Sequence, residues 1–375
     1  MATTTAEPVS PPRLRETLRS ELRALMTPGP RMLDEWACVA SVMLAILFAH
    51  RIEAGMISWA AFTAFVLLKS APGETMVRAV LRLVGSAAGV GLALLLVPIA
   101  AHSLPLAMLT AGGISALGLY GMLTARRAYA WLLFGVTYVM ILLDKLERPH
   151  LDTTAFARMR MLDVLAGIAA CTLVSVTVAV LSRKSWLAGR PPLPERMKWN
   201  PVAARHAAQA GIALALLPLL HARFGLPEMA QAGVTIIAVM IVPVAGIGSS
   251  GFVPVTRRLL HRAIGCIAGG SLALAVLFLA QGSAPVLIAG TVIGIVIGRH
   301  IENSGSSATY VGLQFSLVVL VTLVPDSYDR AEILPAIQRL AAIFIGMALL
   351  EPVLLAWHFI APHRQRAVPG GDLGE

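Results

Sequence analysis

The chain has 375 residues, of which 57% are hydrophobic and only 13% charged, with a mean hydropathy of +0.77. A soluble domain carries about 25% charged residues, so this composition excludes an ordinary soluble enzyme and describes a polytopic membrane protein. The net charge of +10 falls between apolar runs, where it sets topology, so nucleic acid is not expected as a partner.

Residues 1–32 read as a cytoplasmic tail. They hold Pro8, Pro11, Pro12 and five arginines but no apolar core, which does not suit a secretory signal. Leu14, Leu18, Leu22 and Leu25 recur at helical spacing among Arg15, Arg19 and Arg23. That spacing suits a short helix on the membrane surface over 13–26, and a solvated basic tail is the alternative. Twelve apolar runs follow, most of them near the ~20 residues that a spanning helix needs. Six fall within 33–182, at 33–50, 56–70, 79–100, 104–124, 128–144 and 155–182. A proline-rich linker occupies 183–202. Six more fall within 203–360, at 203–221, 228–247, 259–280, 284–299, 307–324 and 333–359. Residues 361–375 form a cytoplasmic tail. Lipid offers no partner to a free backbone group, and strand-like alternation is absent, so the runs are read as helices. The expected fold is an all-α polytopic membrane protein with about 12 transmembrane helices.

These runs form an internal repeat. Between residues 78 and 105, 11 of 28 positions are identical to the residue 180 further on. The matches include Arg78 with Arg258, Arg82 with Arg262, Gly85 with Gly265, Gly89 with Gly269 and Pro105 with Pro285. A second anchor is Arg160 seven residues before Gly167, echoed by Arg339 before Gly346. Lys and Arg concentrate in alternate loops, at 13–31, 69–78, 126–127, 183–198, 257–258 and 364–366. By the positive-inside rule both termini are cytoplasmic. An even number of helices per half then makes the two six-helix repeats parallel, related by an axis along the membrane normal.

No glycine-rich phosphate loop, zinc-protease motif or cysteine pair at metal spacing occurs, so no metal, cofactor or catalysis is expected. Gly85, Gly89, Gly265 and Gly269 suit close helix packing, or a sliding contact between moving helices. Arg82 and Arg262 fall at the cytoplasmic mouths of their runs. They read either as snorkelling topological charges or as two related cationic sites beside a path for an organic anion. Arg160 and Arg339 lie inside their runs, where a cation needs a cavity or a partner. Asp163, three residues after Arg160 on one helical face, could be that partner. The pair reads as a structural salt bridge, or as a substrate-binding Arg with a protonatable carboxylate beside it. Glu351 is a second intramembrane acid, suited to capping or to proton transfer. Trp59, Trp131, Trp186 and Trp357 fit an aromatic belt, and Trp59 could instead face an aromatic substrate.

Taken together, Trp59-Ala60-x-Phe62-Thr63, then Arg82-x-x-Gly85-Ser86-x-x-Gly89, then Arg160 with Gly167, resemble the fusaric acid resistance and aromatic acid exporter superfamily. The second half repeats the latter two motifs but offers Met229-Ala230 and Thr235 in place of the Trp-Ala-x-x-Thr signature. Many members carry a sizeable cytoplasmic domain after each half, and here only the 183–201 linker and a short tail stand in those places. A compact subgroup fits best. The resemblance implies a bacterial inner-membrane efflux component for aromatic carboxylic acids or related toxic compounds, often working with a periplasmic membrane-fusion protein.

The expected function is therefore an inner-membrane secondary transporter that exports aromatic carboxylic acids or related toxic organic anions, coupled to protons. Arg160, Arg339, Arg82, Arg262 and Trp59 are the substrate-binding candidates, and Asp163 and Glu351 the proton-coupling ones. The lipid bilayer is an expected partner, and a homo-oligomer is compatible. Three alternatives stay open: a major facilitator, although 69–82 lacks the Gly, Asp and Arg signature of that class; an anion channel; and a non-transporting subunit of an envelope-spanning complex.

Overall fold

The computed structural model describes residues 27–183, 199–248, 250–305, 307–328 and 332–360. The surface helix expected over 13–26, the linker residues 184–198, Trp186 and the tail 361–375 lie outside the described residues. Among the described residues every long element is a helix. The first six are α1 (Pro30–Arg51), α2 (Ile57–Leu67), α3 (Pro72–Ala100), α4 (Leu104–Thr124), α5 (Ala128–Glu147) and α6 (Thr153–Leu181). The next six are α7 (Pro201–Phe224), α8 (Met229–Val239), α9 (Phe252–Ala280), α10 (Ala284–Glu302), α11 (Thr309–Leu323) and α12 (Ile333–Ile360). A single turn, Val244–Ile247, separates α8 from α9.

Nine of these helices are long and apolar enough to cross a membrane. That corrects the expectation of twelve full-length spans, because α2, α8 and α11 have only 11, 11 and 15 residues. At 1.5 Å per residue an 11-residue helix covers about 16 Å, roughly half of a ~30 Å hydrocarbon core. The apolar run at 228–247 breaks after Val239 because Pro243 has no N–H and disfavours helix in the residue before it. The run at 56–70 breaks at Leu68, which is extended. Such breaks are tolerated at membrane depth where protein surrounds them. Nearly every residue of α2 and α8 is buried.

α3 and α9 depart in the other direction. Both have 29 residues and begin at Pro72 and Phe252, seven residues ahead of the runs expected from 79 and 259. Pro72 opens α3 without cost, since the N–H it lacks has no partner in a first turn. Arg82 and Arg262 thus lie ten residues inside their helices, about 15 Å along the axis. Both are buried, which corrects their reading as charges at the helix mouths.

The outer helices show apolar side chains outward, such as Leu95, Leu109 and Phe278, each 70% exposed, which is the face lipid would cover. α2, α8 and the inner turns of α5 and α11 are enclosed on every side. Glycines set the closest approaches. A Cβ on Gly89 would meet the Phe134 carbonyl of α5 at 2.7 Å, and one on Gly269 the Phe315 carbonyl of α11 at 2.5 Å. Gly85 and Gly265 face the carbonyls of Ala130 and Val311 one turn away. Gly167 of α6 faces the Ala60 carbonyl of α2, and Gly346 of α12 the Ala232 carbonyl of α8.

Two contacts join the chain's first and second halves along their edges. In one, α4 meets α7 at Gly112 and Gly211, where an added Cβ would lie 2.7 and 2.8 Å from the opposing carbonyl oxygen. Gly112→Val is expected to lower stability by about 1–3 kcal/mol, since two backbones must separate. Gly113→Val, whose Cβ meets nothing within 4 Å, should leave the thermal midpoint nearly unchanged in detergent. Equal losses for the two variants would show that the backbone approach is not what matters.

The other edge, α1 against α10, is ionic. Arg299, 3% exposed, donates from Nε to Asp34 Oδ2 at 2.8 Å, from Nη1 to Glu302 Oε2 at 3.0 Å and from Nη2 to the Leu68 carbonyl at 3.2 Å. Asn303 adds a bond to Asp34 at 2.8 Å, and His300 Nδ1 lies 2.7 Å from Glu35 Oε1.

Candidate functional site

The enclosed helices surround an inner cavity of about 190 Å³. Its wall is mainly apolar, with Phe62, Val66, Leu132, Val136, Val234 and Ile241 among the lining residues. It reaches Tyr129 and Tyr310, each the second residue of its helix, near the end of the bundle where α1 begins. Its far end is formed by Trp59, Arg160 and Asp163.

Arg82 enters the cavity from the middle of α3. Its Nη2 donates to Thr63 Oγ1 at 2.8 Å and its Nη1 to Tyr129 Oη at 3.1 Å, while Nε has no partner. Arg262 is held the same way in α9: Nη2 donates to Thr235 Oγ1 at 2.9 Å and Nη1 to Gln314 Oε1, with Nε again unpartnered. Thr63 and Thr235 are each the seventh residue of an 11-residue helix. Thr235 therefore does for Arg262 what the Thr of the first-half signature does for Arg82. Arg262 stands behind Gln314, which lines the cavity. Arg258 lines it directly, with Cζ 4.1 Å from the Tyr310 ring centroid and Nη2 donating to the Ala238 carbonyl at 3.3 Å. Among the described residues, Arg82, Arg258 and Arg262 form no ion pair. Burying a charge is costly unless it is paired, and three cations with neutral partners make this region receptive to an anion.

The inner end has a different chemistry. Arg160 is 5% exposed, and its Nη2 donates to Asp144 Oδ2 of α5 at 2.9 Å. Its Cζ lies 4.8 Å from the Trp59 ring centroid, within cation–π range. Asp163 is not its hydrogen-bonded partner, which corrects the pairing expected from their i,i+3 spacing. Asp163 is 1% exposed, lines the cavity and has no hydrogen bond to either carboxylate oxygen. Trp59 is likewise buried, not part of an interfacial belt.

A second, outer cavity of about 370 Å³ lies beyond this end and holds Met56, Glu147, Arg148, Glu228, Asp326 and Arg339. Arg339 donates to Glu228 Oε1 at 3.3 Å and to the Val321 carbonyl at 2.8 Å. Glu147, ending α5, accepts from the backbone N–H groups of Glu228 and Met229 at 3.0 and 2.5 Å, where α8 begins. Asp326, following α11, accepts from Ile57 N at 3.0 Å, where α2 begins. Each short helix is thus capped by a carboxylate from the other half of the chain, with the favourable sign for a helix N-terminus. Burial pushes the Asp326 carboxyl above its ordinary range, against the opposing pull of the Ile57 N–H and Arg339.

Residues 43–174 match the family described as fusaric acid resistance protein-like. The match covers about a third of the chain, and over this stretch the chain is similar to that family. No curated protein and no solved structure gives a significant match. The likeness to the fusaric acid resistance protein-like family points to membrane transport or resistance, in keeping with the apolar helices. The matched stretch contains every first-half polar residue that lines the inner cavity, Trp59, Arg82, Arg160 and Asp163 among them, and also Asp144 behind its wall.

Of the residues singled out in the sequence, Trp59, Arg82, Arg160 and Asp163 share the inner cavity, and Arg262 lies behind its wall. Arg339 lies in the outer cavity, apart from Arg160. Glu351 lines neither; its Oε1 accepts from Thr256 Oγ1 at 3.0 Å. Spacing and composition do not single out Arg258, Asp144, Tyr129 or Tyr310. Arg258 falls one residue before the apolar run at 259–280 and so reads as a loop charge. The apolar Phe252, Val253 and Val255 ahead of it, with Pro254 in the first turn, were the available signal for an earlier start.

Proposed function

We propose that the protein is a secondary transporter that exports small aromatic carboxylates across a bacterial inner membrane, coupled to protons. The observation that carries this reading is Arg82, buried without a carboxylate partner in an apolar, aromatic-lined cavity that it shares with Arg258. An apolar cavity of about 150 Å³ holds one benzene, so the volume of about 190 Å³ suits a single-ring acid better than a drug-sized one.

In this reading the chain is two parallel six-helix repeats. The support is the order of helix lengths, 22, 11, 29, 21, 20 and 29 residues and then 24, 11, 29, 19, 15 and 28, together with the paired Arg–Thr bonds. Arg126, Arg127 and Arg257 are exposed at the end where α1 begins, which supports a cytoplasmic location for that end and for both termini. The inner cavity then faces the cytoplasm, where an exporter collects its cargo. Asp163 is the proton-linked group in preference to Glu351, because its carboxylate is buried, unpartnered and in the cavity wall. A periplasmic membrane-fusion protein is the proposed partner for passage beyond the periplasm.

The test is transport of radiolabelled benzoate by the purified protein in liposomes. Accumulation against its gradient is expected when a proton gradient is imposed. Asp163→Asn is expected to abolish that accumulation while keeping downhill exchange. An unchanged response of Asp163→Asn to the proton gradient would rule out Asp163 as the coupling group. Flux that only dissipates gradients in the parent protein would instead identify a channel.

A further inference from the structure

Asp144 lies between the two cavities and lines neither. Its Oδ2 is 2.9 Å from Arg160 Nη2, at the end of the inner cavity, and its Oδ1 is 3.7 Å from Arg148 Nη2, in the wall of the outer one. We propose that Asp144 stands in for a substrate carboxylate at Arg160, and that an aromatic carboxylate in the inner cavity displaces it and opens the partition. The proposal rests on the reading of the inner cavity as an anion site.

Three observations support the exchange. Arg160 Nε is buried and unpartnered, so its guanidinium has a donor left for a second carboxylate before the first departs. Planar guanidinium and carboxylate groups match as paired hydrogen bonds, which a single contact to Asp144 does not complete. Trp59 already covers Arg160 at 4.8 Å and is placed to take the ring of an aromatic acid whose carboxylate binds there. Asp144, once displaced, still has Arg148 one helical turn away, so it keeps a cationic partner. The outer cavity's Arg339 has no such arrangement, since it holds Glu228 and the Val321 carbonyl. The partition is thus a feature of the first half alone. The ligand entering from the inner side carries the same charge as the group it replaces, so the partition opens only for an anion.

The test uses Met140→Cys, at a residue of the inner cavity wall, in full-length protein whose Cys38, Cys171 and Cys266 are replaced by alanine. A membrane-impermeant maleimide is added to vesicles from the outer-cavity side, with and without benzoate. Benzoate is expected to raise labelling from that side by about fivefold or more in the Met140→Cys parent. Adding Asp144→Asn is expected to raise labelling without benzoate and to tighten benzoate binding by about tenfold, because the internal competitor is gone. The double change Asp144→Leu with Arg160→Met keeps a packed, neutral partition and should lose the response to benzoate while remaining folded. If the parent binds benzoate but Asp144→Asn neither tightens binding nor alters labelling, the exchange is wrong and the ion pair is structural. If the parent binds no benzoate at all, the reading of the cavity fails with it.

Discussion

Replacing Arg82 and Arg258 together by glutamine is expected to weaken benzoate binding by about a hundredfold or more. A hydrogen bond to a charged group contributes about 1.5–3 kcal/mol, and each 1.4 kcal/mol is tenfold in Kd. Glutamine keeps a polar side chain of moderate length and removes only the charge and the guanidinium fork. The argument is strongest for Arg82, because its bonds to Thr63 and Tyr129 satisfy two donors without neutralising it. Arg258 approaches the same space from the other half, over the Tyr310 ring. Arg262→Gln is the informative contrast. That arginine is also unpaired by any carboxylate but stands behind Gln314, so its loss should alter stability more than affinity. Calorimetry on the detergent-purified protein reads both variants against the parent. A double variant that binds benzoate as tightly as the parent would remove the Arg82–Arg258 end of the cavity as the anion site and leave only Arg160.

Arg299→Met is expected to destabilise the protein by about 3–5 kcal/mol, the usual cost of stranding buried charges by removing their partner. Methionine fills similar space but leaves Asp34 and Glu302 without their guanidinium and frees the Leu68 carbonyl. Arg299→Lys should recover only part of the loss, since an ammonium cannot reproduce bonds from Nε, Nη1 and Nη2 to three residues. The readout is thermal unfolding in detergent. Asp34→Asn combined with Arg299→Met tests the cause, because removing both partners should cost less than removing Arg299 alone. If the single and double variants are equally destabilised, the loss reflects packing and not the stranded acid. The position joins α1 to α10, so the same substitution is also expected to loosen one edge between the chain's first and second halves.

Arg299 also illustrates how far local reading goes. Beside Glu302 it reads as a nearly neutral loop, yet its main partner, Asp34, is 265 residues away. Asp163 taught the same lesson more sharply. Its i,i+3 spacing from Arg160 is a true statement about helix geometry, but Asp144 on a neighbouring helix offers better geometry and takes the bond. Helical spacing says which side chains share a face. It does not say what that face is packed against.

Helix length divided along the same line. The mean apolar character of 56–70 and 228–247 suggests ordinary spans, whereas α2 and α8 stop at Leu67 and Val239, which is tolerated because protein, not lipid, surrounds their ends. Hydropathy counts transfer from water residue by residue and does not distinguish a lipid-facing helix from one enclosed by other helices. In the reverse sense, α3 and α9 extend through charged turns holding Arg78 and Arg258, because neighbouring helices supply Tyr129 and Tyr310 to cover them.

The opening stretch of α3 and its echo in α9 show both sides of this division. That the chain is helical, apolar and internally repeated, and that its glycines recur beside its arginines, follows from composition and spacing alone. These are additive or local properties: transfer free energy sums along the chain, and a four-residue interval puts two glycines on one helix face. Which backbone those glycines touch, that Arg82 and Arg262 are buried on threonines of short helices, and that Arg160 belongs to Asp144 and not to Asp163 are different in kind. They depend on which helices become neighbours, and charges separated by many residues in the chain acquire partners only when the helices pack.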